Sequence, residues 1–198
     1  MSRKPALPRA TRRRGEELEV AVLQAAWDEL AAVGYTRLTI EAVATRAATS
    51  KAVVYRRWRS RPILVLAALR AYAPMLSGEA PNTGDLRGDL LALLRRVAKR
   101  LNEIGAETLN GLLAEYVGDT AREIALDVRA IGVETMMTIL TRAAARGEVR
   151  LEHITPRIAS LPIDLLRNEL LTTRTPASAT AIVEIVDEIF LPLVQRNG

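Results

Sequence analysis

The stretch TIEAVATRAATSKAVVYRRW, residues 39–58, decides the fold of the N-terminal part of the chain. Thr39 and Ser50 each precede a short run of apolar residues at helical spacing, and both are residue types favoured at helix N-caps. Only Ala48 and Thr49 separate the end of the first run from Ser50, the second cap. The stretch therefore predicts two short helices joined by a tight turn, which is the geometry of a helix-turn-helix.

The second of these helices has the residue types that DNA recognition requires. A recognition helix exposes small and polar side chains so that its backbone can approach base edges, and it buries apolar side chains behind them. Val54 and Trp58 are the predicted buried residues. Ala52 and Val53 form the predicted small exposed surface of a helix that is dense in Lys51, Tyr55, Arg56 and Arg57. The tyrosine and the two arginines can reach flanking phosphates. A short basic helix is also common on protein surfaces, so this pattern is not specific by itself.

Positive charge is concentrated in the N-terminal third of the chain. Residues 1–61 hold 13 Lys and Arg against 6 Asp and Glu, a net charge of +7, whereas residues 62–198 hold 15 against 17, a net charge of −2. Such asymmetry indicates a module that faces a polyanion, and nucleic acid is the commonest one. The alternative is a solvated basic tail on an unrelated enzyme.

Residues 1–15 form a basic arm with little apolar content, and we expect it to be disordered in isolation. Arg12, Arg13 and Arg14 stand at its end, next to the first predicted helix. These arginines either have no role or bind DNA, by insertion into the neighbouring minor groove or by screening phosphates.

Helical periodicity continues to the end of the chain, and strand patterns are absent from the sequence. It predicts an all-α fold of about nine helices. Their expected bounds are 16–33, 39–47, 50–58, 62–75, 86–104, 107–117, 119–146, 155–173 and 176–196. We expect a basic arm over 1–15, a helix-turn-helix domain over 16–60 and a helical domain over 61–198.

Several classes of protein are excluded by composition. The chain has no cysteine and a single histidine, His153, so zinc sites, thiol catalysis and His-dependent triads are effectively unavailable. A Gly-rich phosphate loop is also missing. We therefore expect no enzymatic activity, no metal and no cofactor. Neither a membrane span nor a signal peptide is evident, and this predicts a cytoplasmic protein.

Two sets of apolar residues in the C-terminal part suggest binding surfaces. Residues that could line an effector cavity, although ordinary core packing explains each of them as well, are Tyr72, Met75, Leu112, Tyr116, Met136, Met137 and Leu140. The last two helices have an apolar stripe wider than one neighbouring helix needs, which favours a four-helix dimer interface. The residues of that predicted interface are Leu165, Ile182, Ile185, Val186, Ile189, Phe190 and Leu193.

Residues 22–69 resemble the DNA-binding domain of the tetracycline-repressor (TetR) family of bacterial transcriptional regulators. The resemblance rests on several motifs in their usual order. They are Ala25-Ala26, Gly34-Tyr35, Thr39-Ile40, Val43-Ala44, Arg46-Ala47, Thr49-Ser50-Lys51, Tyr55-Arg56 with the aromatic Trp58, and Arg61 before Leu64. Beyond this stretch only the helical pattern and the overall length agree with the family.

The resemblance implies a homodimer with paired DNA-binding domains and a C-terminal ligand pocket. It implies that Thr39 and Arg61 contact phosphates, and that Tyr55 and Arg57 contact the DNA backbone. The residues that it implies face the major groove are Ser50, Lys51, Ala52 and Val53. Ala48 departs from the family pattern, because glycine is usual in the turn. This substitution is expected either to strain the backbone or to change the angle between the second and third helices. Arg57 and Trp58 replace a common histidine and phenylalanine.

Together these observations predict a repressor that binds a pseudo-palindromic double-stranded DNA operator as a homodimer and is released by an unidentified small-molecule effector. An alternative is an all-helical protein that binds a small molecule or lipid and has a vestigial DNA-binding half. A membrane-surface anchor is the weakest hypothesis, since the basic arm lacks interleaved apolar residues.

Overall fold

The computed structural model describes residues 15–72, 79–115 and 119–195, with the backbone alone described for 119–131. Every regular element in these ranges is helical, and the predicted all-α fold is confirmed. The helices are α1 (Glu16–Arg37), α2 (Ile40–Arg46), α3 (Lys51–Arg57), α4 (Arg61–Tyr72), α5 (Leu86–Ile104), α6 (Ala106–Glu115), α7 (Asp119–Ala145), α8 (Pro156–Thr173), α9 (Ala179–Glu184) and α10 (Leu191–Gln195). A π-helical segment (Ile185–Phe190) joins α9 to α10, and a 3₁₀ turn (Leu151–His153) precedes α8.

Side-chain caps fix where several of these helices begin. The hydroxyl of Thr39 accepts a hydrogen bond from the backbone N–H of Ala42 at 3.1 Å, and the hydroxyl of Ser50 accepts one from Val53 at 3.4 Å. Asp85 caps α5 in the same way, through the N–H of Gly88 at 2.8 Å. Each cap satisfies a backbone donor that the first turn leaves without a helical partner.

The end of α1 differs from the expected stop at residue 33. The helical conformation breaks at Gly34, where φ is 76° and ψ is 171°, and one further turn follows through Arg37. Glycine adopts this positive φ without a steric penalty. The extra turn buries Tyr35, whose side chain is only 1% exposed. We call residues 34–38, from this break to Leu38, the α1 hook.

The first four helices share one apolar core with parts of α5 and α6. Tyr35 of the α1 hook lies in it with Val54 of α3 and Leu64 of α4. Ile104, at the end of α5, and Leu112 of α6 belong to the same core. The N-terminal helices are therefore packed directly against the beginning of the C-terminal part of the chain.

A second core lies among α5, α7, α8 and the C-terminal helices. Its most deeply buried side chains include Leu94, Met136, Leu166 and Phe190. Leu109 of α6 packs at the edge of both cores. Helix α4, which begins at the predicted boundary between the two domains, also contributes to the first core.

Candidate nucleic-acid interface

Helices α2 and α3 pack together across a turn of four residues, from the C-cap of α2 at Ala47 to the N-cap of α3 at Ser50. Ala48 lies in this turn in the left-handed region, with φ of 52°. The N–H of Thr49 bonds back to the carbonyl of Ala44 at 2.9 Å. The turn therefore has the strained backbone expected where alanine replaces glycine, since a Cβ crowds the carbonyl in this conformation.

Helix α3 is anchored by its apolar side and exposes its basic side. Val54 is fully buried and Trp58, at the C-cap, is 6% exposed. On the opposite side Lys51, Ala52 and Arg56 are exposed, as are Ser50, Tyr55 and Arg57, while Val53 is half-buried. This arrangement can present a small, basic helix surface to a DNA groove.

Thr39 stands exposed at the start of α2, where its hydroxyl caps the helix. A hydroxyl can accept one hydrogen bond and still donate its proton. The Thr39 hydroxyl, which accepts from the N–H of Ala42, can therefore also donate to a phosphate oxygen next to the helix N-terminus.

Lys51, the first residue of α3, forms an ion pair with Glu41 in the first turn of α2. Its ammonium also lies over the ring of Tyr55, 5.5 Å from the centroid. The hydrogen bond between the two groups raises the pKa of Lys51 and lowers the pKa of Glu41. Both groups therefore stay charged near neutral pH, and the ammonium is held at the N-terminal end of α3.

Arg57, the last residue of α3, forms an ion pair with Glu19 of α1. Its guanidinium also lies 5.8 Å from the ring centroid of Trp58. Both cations at the ends of α3 are thus partnered by carboxylates on other helices. Glu41 and Glu19 were not predicted as partners from the sequence, because neither position indicates a partner until the helices are packed.

Arg61, the first residue of α4 and a predicted phosphate ligand, makes several contacts within the subunit. Its guanidinium donates to the carbonyls of Tyr35, Thr36 and Leu38 at 3.3–3.4 Å and forms an ion pair with Glu115 of α6. It also stacks on the ring of Tyr35, 4.7 Å from the centroid. Through these contacts the guanidinium of Arg61 holds the α1 hook in place, which is a structural role that was not predicted from the sequence.

Glu107 of α6 holds the same hook from the other side. Its carboxylate accepts a hydrogen bond from the backbone N–H of Thr36 at 3.1 Å, and this bond lowers its pKa. Gly111, one turn later, lies directly against Tyr35, because an added Cβ would stand 2.2 Å from the ring. Helix α6 therefore contacts the α1 hook and its partner Arg61 through Glu107, Gly111 and Glu115, in addition to the core contact of Leu112.

The predicted effector residues are divided between the two cores. Leu112 lies in the first, while Met136 and Leu140 are fully buried in the second and the half-buried Met137 packs against it. Tyr72 donates a hydrogen bond to the carbonyl of Val20 at 3.3 Å and stacks on Trp27. The described residues of this set are therefore distributed over both cores. Met75 and Tyr116 lie outside the described residues, as do Arg12, Arg13 and Arg14.

The predicted dimer residues are also of two kinds. Those that pack inside the subunit's own core are Ile182, Ile185, Val186 and Phe190. Leu165 is half-buried, whereas Ile189 and Leu193 are 42% and 45% exposed. The apolar surface that the end of the chain offers to another molecule is therefore narrower than the sequence pattern indicated.

Among residues 15–72, 79–115 and 132–195, whose side chains the structure describes, no group of three or more His, Asp or Glu side chains could hold a metal ion. In the same ranges no helix has the length and apolar character needed to span a bilayer.

Two family models match the chain, and together they span both parts of it. Residues 22–68 match the model for bacterial regulatory proteins of the tetR family. Residues 80–189 match the tetracyclin repressor-like C-terminal domain.

Known proteins of similar sequence and fold are regulators of the same type. A DNA-binding transcriptional repressor TetR of Mycobacteroides abscessus is 32% identical over 93% of this chain and 98% of its own length. An HTH-type transcriptional regulator of Mycobacterium tuberculosis is 34% identical over 83% of this chain and 81% of its own. The crystal structure of a TetR-family regulator from Rhodococcus sp. has the same fold, with a TM-score of 0.57, 22% identity and coverage of 91% of this chain and 100% of that one.

The anchored basic helix α3, the strained turn before it and the match over both parts of the chain have one explanation. The chain belongs to the TetR family of bacterial transcriptional regulators, and its N-terminal helix-turn-helix is a DNA-binding domain.

Proposed function

We propose that the protein is a ligand-responsive repressor that binds a pseudo-palindromic operator as a homodimer and leaves it when a small molecule binds. The observation that carries this proposal is the exposure of Lys51, Ala52, Tyr55 and Arg56 on a helix anchored by Val54 and Trp58. A bacterial operator as the target also implies a cytoplasmic location.

On DNA, α3 enters the major groove with its N-terminal end against the base edges. Ser50, Lys51, Ala52 and Val53 face the bases, because they form the first turn of the helix and its cap. The residues that contact the DNA backbone are Thr39, Tyr55, Arg56 and Arg57, together with Arg12, Arg13 and Arg14 of the arm. Arg61 contributes indirectly, since it holds the α1 hook on which the helix-turn-helix packs.

A second copy of the chain covers the exposed apolar surface at the C-terminal end. Ile189 and Leu193 are both more than two-fifths exposed. Burying these side chains against those of a second copy has a lower free energy than leaving them exposed to water. Two-fold pairing of this surface with Leu165 of α8 gives a closed dimer. Such a dimer places two recognition helices on successive major grooves, about one helical turn of DNA apart.

The effector acts through α6 and α4. Helix α6 contacts the DNA-binding half through Glu107, Gly111 and Glu115, and α4 begins at Arg61, the partner of Glu115. A ligand that binds beside Met136, Met137 and Leu140 would favour another position of α6. Release of DNA then requires only that the ligand binds this second state more tightly.

The test begins with selection of duplexes from a random DNA pool, followed by anisotropy titration of the selected site at fixed salt. Lys51→Ala and Tyr55→Phe are each expected to weaken binding, by about tenfold for the lysine if a base contact is lost. Dimer mass, measured by light scattering, should not change. Selection without any enriched sequence, or unchanged affinity in both variants, would contradict the proposal and favour a vestigial DNA-binding half.

A further inference from the structure

The two cations at the ends of α3 have different surroundings, although each is paired with a carboxylate. The ammonium of Lys51 is held between Glu41 and the ring of Tyr55. Arg57 is held by Glu19, at the end of α3 that is far from the base edges in the proposed complex. All four charged side chains are at least one-third exposed, so DNA could reach them.

Lys51 can keep its partner and still bind DNA. An ammonium has three donors, and one bond to Glu41 leaves others free for an acceptor in the groove. Glu41 lies on α2 and Tyr55 one turn further along α3, so the two contacts fix the ammonium from two elements. Without them, the long lysine side chain could move to any nearby phosphate.

We propose that Glu41 is a specificity-determining residue, which positions Lys51 toward the base edges and prevents it from binding phosphates of unrelated DNA. This inference rests on the proposed function, because it needs a site that the protein prefers. At that site the positioned ammonium meets a base acceptor such as guanine O6 or N7. At other sequences the acceptor at that position is a displaced single atom, such as adenine N7 or thymine O4, or is replaced by the cytosine N4 donor. There the ammonium fits less well, and the carboxylate of Glu41 repels the nearby phosphates.

Glu19 has a different effect, because Arg57 contacts phosphate in every complex. The carboxylate of Glu19 repels that phosphate to the same extent whatever the sequence. Glu19 therefore lowers the affinity for selected and unrelated DNA by the same factor. This contrast separates a positioning role from a general charge effect.

The experiment uses the full-length protein and measures affinity for the selected duplex and for a shuffled duplex at one salt concentration. In Glu41→Gln we expect affinity for the shuffled duplex to rise about two- to fivefold, the range of an exposed ion pair. Affinity for the selected duplex should stay the same or fall. The ratio of the two affinities therefore decreases, while the melting temperature stays that of the wild type.

Three further variants serve as controls. Glu17→Gln removes the same charge from α1, two residues from Glu19, and should leave the ratio unchanged. Glu19→Gln should raise both affinities equally. The double variant with Lys51→Ala and Glu41→Gln should have the same ratio of affinities as Lys51→Ala alone, because the effect of Glu41 acts through Lys51.

The inference is overturned if Glu41→Gln leaves the ratio of the two affinities unchanged. It is also overturned if Glu41→Gln lowers that ratio as much in the Lys51→Ala background as it does in the wild type. Wild-type protein that does not distinguish the two duplexes overturns the proposed function itself. Since the first result leaves wild-type discrimination intact and the second does not, the two failures are distinguishable.

Discussion

At the scale of single residues, Ala48 shows how a turn can fold with the less suitable side chain. Its φ of 52° is disfavoured for every L-residue with a Cβ, by about 1–2 kcal/mol. The side chain is exposed, so it makes no core contact that would offset this strain. The surrounding hydrogen bonds and the packing of α2 on α3 hold the turn in place.

Ala48→Gly is therefore expected to stabilise the protein, by about 0.5–1 kcal/mol after the greater backbone entropy of glycine in the unfolded chain is subtracted. Urea denaturation measures the change. Ala52→Gly is the matched control, because Ala52 is also exposed but lies in regular helix, and there glycine should destabilise by a similar amount. A loss of stability in Ala48→Gly would show that the positive φ is not strained.

Arg61 shows what sequence reasoning cannot find at this scale. Its acceptors are 23–26 residues earlier in the chain and Glu115 is 54 residues later. Only the packing of α1, α4 and α6 brings them together. The N-caps at Thr39 and Ser50 were predictable, in contrast, because a cap and the donor it satisfies are three residues apart.

At the scale of elements, the C-terminal helix departs from a regular period. A spacing of 3.6 residues places Ile182, Ile185, Ile189 and Leu193 on one stripe, as the sequence predicted. The π-helical segment from Ile185 to Phe190 lengthens one turn, since its bonds run from i to i+5. Phe190, at the end of this segment, and Val194 beyond it are buried, whereas Ile189 and Leu193 face outward. The sequence predicts the helix but not this local change of period.

Ile189→Glu combined with Leu193→Glu should give a monomer whose stability is close to that of the isolated wild-type subunit. Each carboxylate would be buried without a partner at the proposed interface, whereas it is solvated in the monomer. Sedimentation velocity at several concentrations measures the mass. Leu113→Glu is the control, because Leu113 is 58% exposed on α6, outside the proposed interface. A double variant that remains dimeric would place the interface elsewhere.

At the scale of the whole molecule, charge distribution and oligomeric state together determine the salt dependence of DNA binding. Arg56 and Arg57 of two subunits can neutralise about four phosphates, which gives a slope of log K against log salt of roughly −4. Arg12, Arg13 and Arg14 could add up to six contacts in the dimer. The wild-type slope should therefore be clearly steeper than the recognition helices alone allow.

Deletion of residues 1–14 is expected to return the slope to roughly −4, because the remaining contacts come from the helix-turn-helix alone. Anisotropy titrations between about 50 and 200 mM salt measure this slope.

A variant with lysine at positions 12, 13 and 14 separates two roles of the arm. If the arginines only screen phosphates, the lysines preserve both slope and site preference. If they enter a narrow minor groove, the slope stays and the preference for A·T pairs beside the site is reduced. An unchanged slope after the deletion would show that the arm does not contact DNA, and that the charge of the first third acts only through α3.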